Sequence, residues 1–120
     1  MLPLRKRTIY FYKDYFSDFY DQLSWNVQKK ILWTLEVVET LDRIPEIYFK
    51  HLSTTDGLYE ICIQVGGNIY RIFCFFDDHA LIVVGNGFQK KTQKTPRQEI
   101  DKALAIKKQY HEEKKSDPAK

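Results

Sequence analysis

Lys90, Lys91, Lys94 and Arg97 put four cations within eight residues, in a segment running from Gln89 to Arg97. A solvated lysine-rich loop has the same composition, but the position of this segment argues for more. It leads into a helix start, where extra cations meet the positive end of the macrodipole and lose a few tenths of a kcal/mol each. Free backbone N–H groups and added cations at a helix N-terminus suit a phosphate group. The segment therefore reads as an oligoanion contact, with Lys94 and Arg97 at its helix end.

Arg71 lies inside the apolar run Ile69-Tyr70-Arg71-Ile72-Phe73. Strand alternation sends it to the face opposite Tyr70 and Ile72. A guanidinium there needs an acceptor: an internal ion pair with Glu60 or Asp77, or two phosphate oxygens taken in a fork. A hairpin centred near Gly66 and Gly67 pairs residues whose numbers sum to about 133, which sets Glu60 near Phe73 and within diagonal reach of Arg71. A carboxylate beside an arginine is first a salt bridge. It is also what metal-free RNA cleavage uses: a base for the ribose 2′-hydroxyl, cations for the charged phosphorane, and an acid for the leaving 5′-oxygen. In that scheme Glu60 is the base, Arg71 and Lys90 are the stabilisers, and Lys91 or Lys94 is the acid. Tyr70, Phe88 or Tyr59 could stack a nucleobase, although such aromatics more often belong to a core.

The elements that must carry these residues follow from periodicity. RTIYFYK (7–13) suits an opening strand. Phe16, Phe19, Tyr20 and Leu23, then Val27, Ile31, Leu35, Val38 and Leu41 after a Ser24 N-cap, recur at helical spacing. They predict an amphipathic helix or helical hairpin, with Lys29, Lys30 and Glu36 on its outer face, ended by Pro45. IPEIYFKHL suggests a short turn of helix. LYEICIQV, IYRIFCFF and ALIVVGNGF alternate with period two and are joined by GGN and DDH, which predicts a three-stranded antiparallel meander. Thr95-Pro96-Arg97-Gln98 reads as a capping box with Pro at the first helical position. Ile100, Ala103, Leu104 and Tyr110 supply the buried stripe of that helix. The pattern is α+β in one domain over residues 1–112, followed by a polar tail, 113–120, that is expected to fray.

Composition bounds the rest. At 120 residues, 43% hydrophobic and 29% charged, the chain is globular, and too short for a doubly wound cofactor domain plus a substrate domain. Its net charge of +3 is unevenly spread. Residues 1–88 carry 9 basic and 11 acidic side chains, whereas 89–120 carry 10 and 5. Cys62 and Cys74 lack framework spacing and read as reduced, and the three histidines are scattered, so no metal or other cofactor is expected. No secretory or transmembrane run is evident, which predicts a soluble cytoplasmic protein without membrane contact.

At these residues the sequence resembles the RelE/HigB superfamily of bacterial toxins, in its phage-derived addiction-module killer branch. The likeness runs from the first helix to about residue 110. It is concentrated in LYEICI (58–63), IYRIFCFF (69–76) and NGFQKKTQKTPRQEIDKA (86–103). The resemblance implies a RelE-like fold, with helices on one face of a curved antiparallel sheet of about four strands and mRNA on the other. It implies a type II toxin that cuts translated mRNA on the ribosome and is neutralised by a cognate HigA-like helix-turn-helix antitoxin. Arg71 matches the family's phosphate-stabilising arginine, Glu60 a catalytic position, and Lys90 and Lys91 the segment acting on the leaving group. Lys94, Arg97, Asn86, Phe88 and Tyr70 complete the expected RNA-contacting set. Two positions depart from the pattern: Cys62 stands where many relatives have Arg or Lys, and Asn86 where this branch often has His. They motivate an alternative in which a catalytically weak or inactive toxin-like protein acts only by binding antitoxin, RNA or ribosome. Some superfamily members instead poison DNA gyrase, as ParE-like toxins do; the KKTQKTP segment leans away from that.

Overall fold

The computed structural model describes residues 5–91 and 94–116. In chain order it contains β1 (Thr8–Phe11), α1 (Tyr15–Tyr20), α2 (Trp25–Thr40), β2 (Phe49–His51), β3 (Leu58–Val65), β4 (Asn68–Phe76), β5 (Leu81–Lys90) and α3 (Arg97–Ser116). The fold is α+β around a mixed sheet of order β1-β5-β4-β3-β2. The meander β3-β4-β5 is antiparallel, and the opening strand joins it through a parallel pairing of Thr8–Phe11 with Leu81–Val84.

The hairpin between β3 and β4 has the expected register, with Glu60 opposite Phe73 and Cys62 opposite Arg71. Its two-residue loop, Gly66-Gly67, places Gly66 at φ 61°, a conformation that a side chain would strain. Two features differ from the sequence reading. The sheet has five strands rather than about four, because Phe49-Lys50-His51 pairs with Tyr59–Ile61 instead of forming a turn of helix. Helices also cover both faces of the sheet rather than one.

On one face, α1 and α2 bury Phe16, Val27, Ile31, Leu35 and Val38 against Ile61, Ile63, Tyr70, Ile72, Cys74, Ile82 and Val84. Fully burying one such Ile is worth about 1.5–3 kcal/mol. The change of period after Ser24 appears as a break between two helices, with Ser24 extended at the N-cap of α2. At the other end Leu41 is extended, which stops α2 ahead of Pro45.

On the opposite face, α3 sets Ile100 and Ala103 against Leu58, Phe73 and Phe88, and Ile106 against Tyr12, Phe75 and Val83. The helix continues to Ser116 rather than ending near residue 112. Its last turns are held by polar contacts: Tyr110 and Lys114 donate to Asp77, and Tyr12 donates to Glu113. The tail residues 117–120 lie outside the described residues. Both cysteines are free and buried. Among the described residues no helix is long and apolar enough to cross a membrane.

Candidate functional site

The α3 face of the sheet is not fully covered by α3. Beyond Phe73 and Phe88 it carries Lys50 on β2, Glu60 and Cys62 on β3, Arg71 on β4 and Lys90 at the end of β5. Register fixes this grouping, since Lys50 lies opposite Glu60, Cys62 opposite Arg71, and Ile69 opposite Lys90. Residues directly opposite in an antiparallel pair share a face, so four strands deliver these groups to one patch.

Glu60 is the buried anion at its centre, 1% exposed. Arg71 Nε approaches Glu60 Oε2 at 3.7 Å, an ion pair without a hydrogen bond. The same Oε2 accepts a hydrogen bond from the Thr95 hydroxyl at 3.1 Å. Arg71 Nη1 donates to the Tyr70 carbonyl at 3.2 Å, and its buried Nε has no hydrogen-bond partner. The guanidinium is thus placed by Glu60 and Tyr70 without having its donor fork filled. It faces a cleft of about 310 Å³, lined also by Lys30, Lys50, Cys62 and Ile69. Lys50, Arg71 and Lys90 stand around Glu60, and with Lys30 and Glu46, which also line the cleft, the charges still sum to net positive, which suits an incoming polyanion.

Two titrating groups are shifted by this setting. Burial and, next, the Arg71 charge lower the Lys90 ammonium below its usual value. Burial raises the Cys62 thiol, partly opposed by Arg71. Cys62 is therefore a neutral, buried thiol at neutral pH.

The structure sets Glu60 beside Arg71, as the hairpin register implied, adds Lys90 because β5 runs on to that residue, and separates the others. Tyr70 is 6% exposed and packs under α1 near Phe19 on the opposite face. Phe88, 8% exposed, stacks on Phe73 beneath α3. Both are core, because α1 and α3 take the two faces on which these rings project. Asn86 is also buried; its amide lies 3.5 Å from Glu99 and its Oδ1 has no partner. Lys91 and Lys94 are exposed beyond the end of β5. Thr92 and Gln93 of the same segment lie outside the described residues. Arg97 is exposed and pairs with Asp101 at 3.0 Å within α3. Thr95 is not the N-cap: the Pro96 carbonyl accepts the first helical bonds, from Glu99 and Ile100, while the Thr95 side chain turns to Glu60. A buried carboxylate needs donors more than a solvated helix end does.

Sequence reasoning missed Lys50. Its alternation with Phe49 and His51 was the available signal, and Pro45 obscured it. Among the described residues no cluster of His, Cys, Asp or Glu could hold a metal ion. No curated protein matches the chain. A family model does match: it describes phage-derived Gp49-like proteins (DUF891) and spans residues 18–108, which include Lys50, Glu60, Arg71, Lys90 and Thr95, so the chain belongs to that family.

Proposed function

We propose that this protein is the toxin of a type II toxin–antitoxin system and that it cuts translated mRNA without a metal ion. Membership of the Gp49-like family, a toxin-like family of such systems, supports the toxin reading. The observation that carries the chemistry is the convergence of Lys50, Arg71 and Lys90 on one open patch around Glu60.

In this reading Arg71 and Lys50 bind the scissile phosphate and stabilise the charge of the phosphorane. Lys90, with its lowered ammonium pKa, takes the proton from the ribose 2′-hydroxyl when neutral. The 2′-oxygen bonds to phosphorus, the bond to the 5′-oxygen breaks, and cationic Lys50 supplies a proton to that oxygen. Glu60, buried and already engaged by Thr95 and Arg71, is a positioning residue rather than the base first expected. A single small domain draws its selectivity from a larger partner, here the ribosome, and a helix-turn-helix antitoxin neutralises it.

A second reading follows from the same burial of Glu60 and from buried, neutral Cys62 and Asn86: a protein that binds antitoxin, RNA or ribosome without cleaving. Inducing the chain and mapping mRNA 5′ ends distinguishes the two. The cleavage reading expects growth arrest and new ends within translated frames, lost by roughly 100-fold in Arg71→Ala. Growth arrest without new ends, unchanged in Arg71→Ala, supports binding alone.

A further inference from the structure

The outer face of α2 is not a solvated polar face. Trp25 is 69% exposed, Leu32 53% and Trp33 45%, and Ile47, which lines the edge of the cleft with Lys30 and Tyr48, is 71% exposed. The three helical side chains stand at i, i+7 and i+8 and form one stripe, opposite the buried stripe of Val27, Ile31 and Val38. A run of large apolar groups on the wet side of a helix marks an interaction surface. Lys29 lies over the Trp25 ring at 4.7 Å and Lys30 over the Trp33 ring at 4.5 Å. One face of each indole is therefore already occupied by a cation. Leu32 and Ile47 offer nothing to a nucleobase stack, so the patch suits protein rather than nucleic acid.

The charges on the stripe point to the partner. Lys29 lies on its N-terminal half and Glu36 on its C-terminal half. Both are exposed, and among the described residues neither has an ion-pair partner within the chain. From this arrangement we infer that the stripe binds a second copy of this chain, with the two α2 helices antiparallel about a two-fold axis between Leu32 and Trp33. In that register Leu32 of each copy meets Trp33 of the other, and Lys29 of each meets Glu36 of the other. Such an isologous contact needs one patch that complements itself. A register that set the two tryptophans of the stripe across from each other would bring Lys29 against Lys29, so the charges favour one alignment over the other. Two copies of Trp25, Leu32, Trp33 and Ile47 together expose on the order of 1,000 Å² of side-chain surface, near the lower bound for a specific interface.

The test uses the full chain and measures mass by sedimentation across a concentration series at low salt. The native chain is expected to dimerise reversibly, and Leu32→Glu to be monomeric at every concentration. Lys29→Glu and Glu36→Lys should each weaken the dimer roughly tenfold, because each replaces two attractive pairs with two repulsive ones. An equimolar mixture of those two variants should recover the association, since every crossing pair is then opposite in charge. All three positions are exposed, so unchanged far-UV circular dichroism verifies the fold. A native chain that stays monomeric up to its solubility limit overturns the inference. So does a native dimer that Leu32→Glu leaves intact, or a mixture no tighter than its separate components. Binding of an acidic helical peptide by a strictly monomeric native chain would assign the stripe to another protein and would likewise overturn it.

Discussion

The Thr95 hydroxyl donates to the Glu60 carboxylate at 3.1 Å, joining two residues 35 positions apart. Glu60 in turn neutralises Arg71 on the neighbouring strand. Thr95, just ahead of α3, is thereby tied to the sheet at the site itself, so that its placement and that of Arg71 depend on the same buried oxygen.

Removing that tie should cost stability. Thr95→Ala takes a donor from a carboxylate that is 1% exposed, and the expected loss is about 1–3 kcal/mol. Thr95→Ser keeps the hydroxyl and should recover most of it. Urea unfolding of the three proteins reads the difference; equal midpoints for native and Ala forms would remove the tie from the account.

Arg71→Ala should be worse than Arg71→Ala combined with Glu60→Gln. The single change takes its ion-pair partner from a buried carboxylate. That loss reaches about 3–5 kcal/mol where nothing else compensates the charge and is smaller here because Thr95 still donates to it, while the double change removes the charge as well. A double-mutant cycle on unfolding free energy measures the coupling. Additive effects would mean that the two charges do not sense each other.

Lys90 should titrate below the usual lysine value. Burial is the larger cause and the Arg71 charge the next, so Arg71→Ala should move the Lys90 value upward without restoring it fully. Carbon-13 NMR of reductively dimethylated lysines follows the Lys90 ammonium through its titration, and a midpoint at the value of a dimethylated model lysine would contradict the lowered value.

Acid should weaken the attachment of α3. Hydrogen bonds from Lys114, and then from Tyr110, hold the Asp77 carboxyl below its ordinary range despite partial burial. A depressed carboxyl contributes stability above its unfolded pKa, about 3.9 for Asp, and that contribution is lost as pH falls through the lower folded value. Asp77→Asn should therefore be less stable than native protein at pH 7, and the gap should close as the pH is taken below that range. Urea midpoints at the two ends of the range test the sign.

Gly87→Ala should strain the joint between α1 and β5. A Cβ at residue 87 would fall 2.5 Å from a ring carbon of Phe19, which forces the ring or the strand to move. Overpacking of this kind costs about 1–3 kcal/mol. Combining it with Phe19→Leu should return part of the loss, as thermal unfolding can show.

The meander and its register were legible because Gly66-Gly67 fixes the turn and alternation fixes the faces. The sequence alone therefore implies that Glu60 lies within diagonal reach of Arg71. What stayed hidden depends on contacts distant in sequence. The parallel pairing of β1 with β5 joins residues more than 70 positions apart, and no local pattern announces it. Phe88 and Tyr70 carry the same aromatic signal whether they stack on a base or on a helix; only the packing of α3 and α1 decides. Thr95 matches a capping box locally, yet a buried acceptor elsewhere claims its hydroxyl. Lys50 was lost because β2 is only three residues long and follows a proline.

The pairing of β1 with β5 also sets an order of events during synthesis. The first strand leaves the ribosome early, but its partner lies at residues 81–90, and Lys50, Glu60, Arg71 and Lys90 are drawn from four strands made in succession. A nascent chain shorter than ninety residues can hold neither the complete sheet nor the full cationic patch. Lys50, Glu60 and Arg71 are made first, and the patch is complete only when the end of β5 has been made and brings Lys90 to it.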